Sequence, residues 1–166
     1  MCKYTQAVTM ENRGRRLIKL WEMAEANKIN PKKFWELLGW IWTDSEGFIM
    51  YDQRNLWNYL VQWHPNHRHN FMRLSEKKIF NYLPNKITIY RGCELPKHKN
   101  GPSWSLDKDK AEWFANRWGK ADGVIYEKTI TKDKIFAYKN GRKEQEIIIN
   151  GYIKFFNNNL TKKILK

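Results

Sequence analysis

The sequence predicts an α+β fold, with helices in the first half of the chain and mainly antiparallel strands in the second. Three observations carry this. Apolar residues recur at helical spacing up to about residue 85, and from residue 86 β-branched and aromatic residues alternate with polar ones. Late in the chain, Asn140-Gly141 and Asn150-Gly151 are turn signals of the hairpin kind. Helices segregated from strands, rather than interleaved with them, mark the α+β class. With 166 residues, 42% of them hydrophobic and nine of them Trp, the chain has enough apolar material for a packed core. The expectation is a single domain over 1–166, with a helical part at 1–85 and a β-rich part at 86–166.

The helices follow in order. "ENRGRRLIKLWEMAEANK" puts Leu17, Leu20, Trp21 and Ala24 on one face. "NPKKFWELLGWIW" offers Asn30 as a cap and Pro31 at the first helical position. "DQRNLWNYLVQW" repeats the apolar spacing with Leu56, Leu60 and Trp63 before His64-Pro65 ends it, and "SEKKIFNYLP" stops at Pro84. "KITIYRG" then reads as a strand ending at Gly92, and "CELPKHKNGP" as a loop. "SLDKDKAEWFANRWG" is an amphipathic helix, capped by Ser105 or Asp107 and ended by Gly119, with Ala111, Phe114, Ala115 and Trp118 as its buried stripe. "GVIYEKTI", "DKIFAYK" and "KEQEIII" supply the remaining strands.

Composition excludes several classes. The longest apolar run, Leu37 to Trp42, is far too short for a membrane span, and the N-terminal residues lack the apolar core of a signal peptide. Two cysteines, Cys2 and Cys93, make no disulfide framework, so the expected compartment is a reducing cytoplasm. The formal charge of +14 attracts phosphate-rich or acidic partners, while the spread of the basic residues also fits a solvated surface. "HPNHRH" carries His64, His67 and His69, but a Pro within the stretch and few cysteines around it read as a surface loop; no metal is expected.

"GRKEQEIII" raises the chemical question. Strand alternation through this stretch would send Glu144 and Glu146 to one face, about 6.6 Å apart at a rise of about 3.3 Å per residue. Like charges that close raise a pKa, and an exposed edge strand tolerates such a pair without any function. Upstream, in order, stand Arg91 at a strand end and Ser103-Trp104-Ser105 before a helix.

With that ordered set, the chain resembles the mono-ADP-ribosyltransferases of the arginine–serine–glutamate class, best the small enzymes of phages and bacteria. "ITIYRG", "GPSWSLDKDKAEWFA" and "RKEQEIII" match the three family motifs, and "IWTDSEG" at 41–47 is similar to the helical lead-in of phage-type members. The resemblance implies an antiparallel two-sheet core around a cleft for NAD, with NAD as co-substrate. No Walker or Rossmann glycine pattern competes with this.

The resemblance also implies roles. Glu146 would bind the ribose 2′-hydroxyl and stabilise the cation left when nicotinamide departs, as a carboxylate does in glycoside cleavage. Arg91 would clamp a phosphate of NAD, where a random Arg would only form a surface ion pair. Gly92 would let the backbone approach the cofactor. Ser103 would hold the Glu146 rotamer. Ser105 is either part of this site or only a helix cap, and Trp104 either walls the nicotinamide pocket or belongs to the core. Glu144 would deprotonate an acceptor arginine, whose pKa above about 12 otherwise leaves it unreactive. The basic turn "KNGRK" would read the target. The implied partner is an intracellular protein, in the host cytoplasm for a phage enzyme, with nucleic-acid machinery and direct nucleic-acid contact as extensions of the charge. Two other readings stay open: NAD glycohydrolysis, and a basic nucleic-acid-binding or inhibitory module in which the acid pair is only structural.

Overall fold

The computed structural model describes residues 3–44, 53–94, 100–117, 119 and 123–149. These fall into two compact units, the first reaching Arg73 and the second starting at Leu74. The first contains helices α1 (Lys3–Thr9), α2 (Arg16–Glu25), α3 (Pro31–Asp44) and α4 (Gln53–Leu60). Asn30 Oδ1 accepts the Lys33 N–H at 2.9 Å, the N-cap the sequence predicts, and Pro31 opens α3. On α2, Leu17, Leu20, Met23 and Ala24 are buried, so the predicted apolar face holds at three positions, while Met23 is buried and Trp21 is only half-buried.

The centre of this unit is aromatic. Trp42 and Trp57 lie 4.9 Å apart, and Phe71 packs edge-on against Trp35, Trp42 and Trp57 at 6.0–6.5 Å. Trp35 is fully buried and donates its indole N–H to the carbonyls of Trp63 and His64 at 3.1 and 3.0 Å. That anchor helps turn the chain at His64, which adopts φ +44°. The stretch expected to be a histidine loop winds instead into a 3₁₀ helix, Pro65–Phe71, because its last residue is drawn into the aromatic core. Gly39 of α3 is needed for this packing: a Cβ there would stand 2.0 Å from the Phe71 carbonyl oxygen.

The second unit opens with α5 (Leu74–Tyr82) and continues as β1 (Lys86–Cys93), β2 (Ser103–Ser105), α6 (Lys108–Asn116), β3 (Val124–Thr131), β4 (Ile135–Lys139) and β5 (Glu146–Ile149). The strands form one sheet in the order β3-β1-β2-β5-β4, with every pair antiparallel. The α+β class is therefore as read, but the described residues build one five-stranded sheet and not the two sheets expected. Helix α6 begins at the Asp107 cap, whose carboxylate accepts the N–H groups of Asp109 and Lys110 at 2.9 and 3.3 Å. Ala111 and Ala115 face the sheet and Phe114 is half-buried; Trp118 lies outside the described residues, as do Asn150-Gly151 and the end of "IWTDSEG". No helix among the described residues is long and apolar enough to cross a membrane.

One element departs from the sequence reading in a way that matters. The strand expected from Lys143 begins only at Glu146. Lys143 and Gln145 take φ of +58° and +46°, so Glu144 sits between two left-handed residues, off the strand. Local bonds hold this shape: the Asn140 side chain accepts the Gln145 N–H at 3.1 Å, the Asn140 carbonyl accepts the Lys143 N–H at 3.1 Å, and Gln145 O accepts from Leu106 N at 3.0 Å. Period-2 alternation therefore does not apply to Glu144.

Candidate functional site around Arg91, Ser103 and Glu146

Arg91, Ser103 and Glu146 arrive on three strands and are linked by two hydrogen bonds. The register pairs Ser105 with Glu146 and Ser103 with Ile148, which makes Ser103 and Glu146 diagonal neighbours on one face. The Ser103 hydroxyl donates to Glu146 Oε1 at 2.5 Å. Arg91 Nη1 donates to the Ser103 carbonyl oxygen. Strands β1 and β2 pair through Tyr90 opposite Ser105, and the Arg91 guanidinium ties them together beyond that point.

Room for the guanidinium comes from Gly101. A Cβ at that position would lie 2.1 Å from Arg91 Nη2, so any other residue would push the side chain away. Gly92, expected to let a cofactor approach, has a packing role of its own: its Cβ would fall 1.7 Å from the Ala111 carbonyl oxygen, so the glycine admits α6 against β1.

A second cation stands beside Arg91. Lys128 of β3 holds its ammonium 3.9 Å from the centroid of the Trp104 ring. Burial pushes its pKa below the usual lysine value, and the Arg91 charge pushes the same way. Trp104 itself is buried and gives its indole N–H to Gly101 O at 3.0 Å. It belongs to the core of the sheet, with Lys128 on its ring. Cys93 is buried too, and burial raises its thiol pKa against the opposing pull of Arg91. A buried thiol of that kind is a poor nucleophile.

Ser105 is neither the helix cap nor a free hydroxyl. It donates to the Glu144 carbonyl oxygen at 2.7 Å and accepts the Asp107 N–H at 3.0 Å, joining the loop that carries Glu144 to the start of α6. The Glu144 carboxyl has a raised pKa. Its cause is burial, opposed by the positive charges of Arg142, Lys110 and Arg117, rather than the Glu146 repulsion expected from a shared strand face.

The base of the same loop rests on an ion pair. Glu76 of α5 and Lys139 of β4, each 3% exposed, meet at 3.0 Å, and the second Glu76 oxygen accepts the Asn140 N–H at 3.0 Å. Sequence reading missed Glu76, Gly101 and Lys128. Gly101 falls inside the quoted "GPSWS" stretch, whereas nothing local marks the other two as partners of this region. Among the described residues no group of three or more His, Cys, Asp or Glu could hold a metal ion.

Chemically, then, the region offers a carboxylate oriented by a hydroxyl, two adjacent cations on β1 and β3 that the register sets on the sheet face opposite Glu146, and, on the loop at 140–145, a second carboxyl with raised proton affinity. No protein-family model matches the chain, and neither a curated protein nor a solved structure matches it.

Proposed function

We propose that the protein is an NAD-dependent mono-ADP-ribosyltransferase that moves ADP-ribose from NAD to an arginine of an intracellular protein. The observation that carries this reading is the hydrogen-bonded series Arg91–Ser103–Glu146, drawn from three strands that are far apart in sequence. Arg91 and Lys128 together suit the two negative charges of a pyrophosphate. In the reaction the bond from ribose C1′ to the nicotinamide nitrogen breaks, and its electron pair leaves with nicotinamide. Glu146, oriented by Ser103, stabilises the cation left on the sugar. The acceptor guanidinium gives a proton to Glu144, whose raised pKa favours taking it. A new bond from C1′ to the arginine nitrogen completes the transfer.

Incubation with labelled NAD and a cell lysate tests this. Labelled protein is expected from the wild type and none from Glu146→Ala. Glu144→Gln is expected to keep nicotinamide release while losing protein labelling. Free ADP-ribose with no labelled protein from the wild type would instead assign glycohydrolysis, with water as the acceptor. No consumption of NAD at all would refute both.

A further inference from the structure

We propose that α6 and the loop at 140–145 form a docking surface for single-stranded nucleic acid. The helix has three distinct sides. Ala111 and Ala115 are buried on the sheet, and Asp109, Glu112 and Asn116 face solvent on a second side. The third side carries Lys110, Trp113, Phe114 and Arg117, spaced i, i+3, i+4 and i+7.

That third side combines charge with an open ring. Trp113 is 56% exposed, a large apolar surface to leave in water. Phe114 packs edge-on against it, with centroids 5.0 Å apart and planes at 77°. The Lys110 ammonium lies 5.9 Å from the Trp113 centroid and the Arg117 guanidinium 5.3 Å from that of Phe114. Arg142 extends the positive charge onto the loop, since Lys110, Arg117 and Arg142 all act on the Glu144 carboxyl. An exposed ring among cations is what a single strand recognises: an unpaired base stacks on it and the backbone phosphates meet the cations. A duplex hides its base faces, and an acidic peptide would use the cations but leave the Trp113 ring idle. The chain's charge of +14 favours the polyanion further.

The surface borders the Glu144 carboxyl, but its test does not rest on the NAD reading, because binding is measured without NAD and with Glu144 and Glu146 unaltered. The probe is a fluorescently labelled oligothymidylate, followed by anisotropy with the full chain over a range of salt. Trp113→Ala is expected to weaken binding about ten-fold, within the range carried by stacking on one aromatic side chain, while Trp113→Tyr retains it. The double change Lys110→Gln with Arg117→Gln is expected to flatten the salt dependence by about 0.7 in log–log slope for each phosphate that is no longer neutralised. Circular dichroism confirms that the variants are folded. Equal affinity for duplex of the same length, or unchanged binding by Trp113→Ala, would overturn the proposal. Displacement by polyglutamate as effective as by unlabelled oligothymidylate would also overturn it, and assign the surface to an acidic protein segment.

Discussion

The two units bury different things. The helical unit closes over Phe34, Trp35, Trp42, Trp57 and Phe71, and the buried polar side chain the described residues show there, Asn58, has an amide with no hydrogen-bond partner. The sheet unit buries Glu76, Lys139 and Ser105, and each of them has named partners. Apolar packing holds a unit together without fixing where any one group must point. Buried polar groups are costly unless matched, so their partners define position. In the sheet unit those matched groups surround the loop carrying Glu144 and the strand carrying Glu146. The polar burial sits where the candidate chemistry sits.

The contrast can be broken most severely at the ion pair. Glu76→Ala leaves the Lys139 charge buried and unpaired, and should cost about 3–5 kcal/mol in denaturant unfolding of the sheet unit. The double change Glu76→Leu with Lys139→Met should recover most of that loss; an equally unstable double variant would mean that the pair is not the cause. In the helical unit the comparable weak point is steric. Gly39→Ala forces a methyl into the Phe71 backbone and should cost about 1–3 kcal/mol. A smaller effect of opposite sign is expected at Asn58, where Leu removes an unmatched amide and should stabilise by about 1 kcal/mol. Destabilisation there would show that the amide is satisfied in solution.

The smallest effect concerns pH. Glu144 has a folded-state pKa raised above its ordinary value of 4.5, so the folded chain holds that proton more tightly than the unfolded chain. Wild-type stability should then fall as pH rises from 4.5 through the raised value and level off above it, relative to Glu144→Gln. Below pH 4.5 the two should converge once their constant difference is subtracted. A stability difference that stays flat over this range would place the carboxyl in water.

Much of the fold is legible in the sequence because it is local. Asn30-Pro31 starts a helix through one side-chain bond and one fixed torsion, and Asp107 starts α6 through two side-chain bonds. Alternation marks β1 from Lys86 to Gly92, one residue short of its end at Cys93, and Arg91, Ser103 and Glu146 stand out by their order along the chain. What escapes a sequence reading is set at a distance or against propensity. Strand order β3-β1-β2-β5-β4 depends on pairings between remote segments. Lys128 joins Arg91 only because Ile89 pairs with it across β1 and β3, with Trp104 beneath. Glu144 leaves the strand because Lys143 and Gln145, residues with no turn signature, are held left-handed by Asn140 and Leu106.

The most direct test of the central assignment is the rate of nicotinamide release from NAD by the wild type, Glu146→Gln and Ser103→Ala. The expected order is a fall of about 10²-fold or more for Glu146→Gln and about ten-fold for Ser103→Ala, both with folded chains. Release by Glu146→Gln at the wild-type rate would contradict the assignment of Glu146 as the group that stabilises the sugar cation.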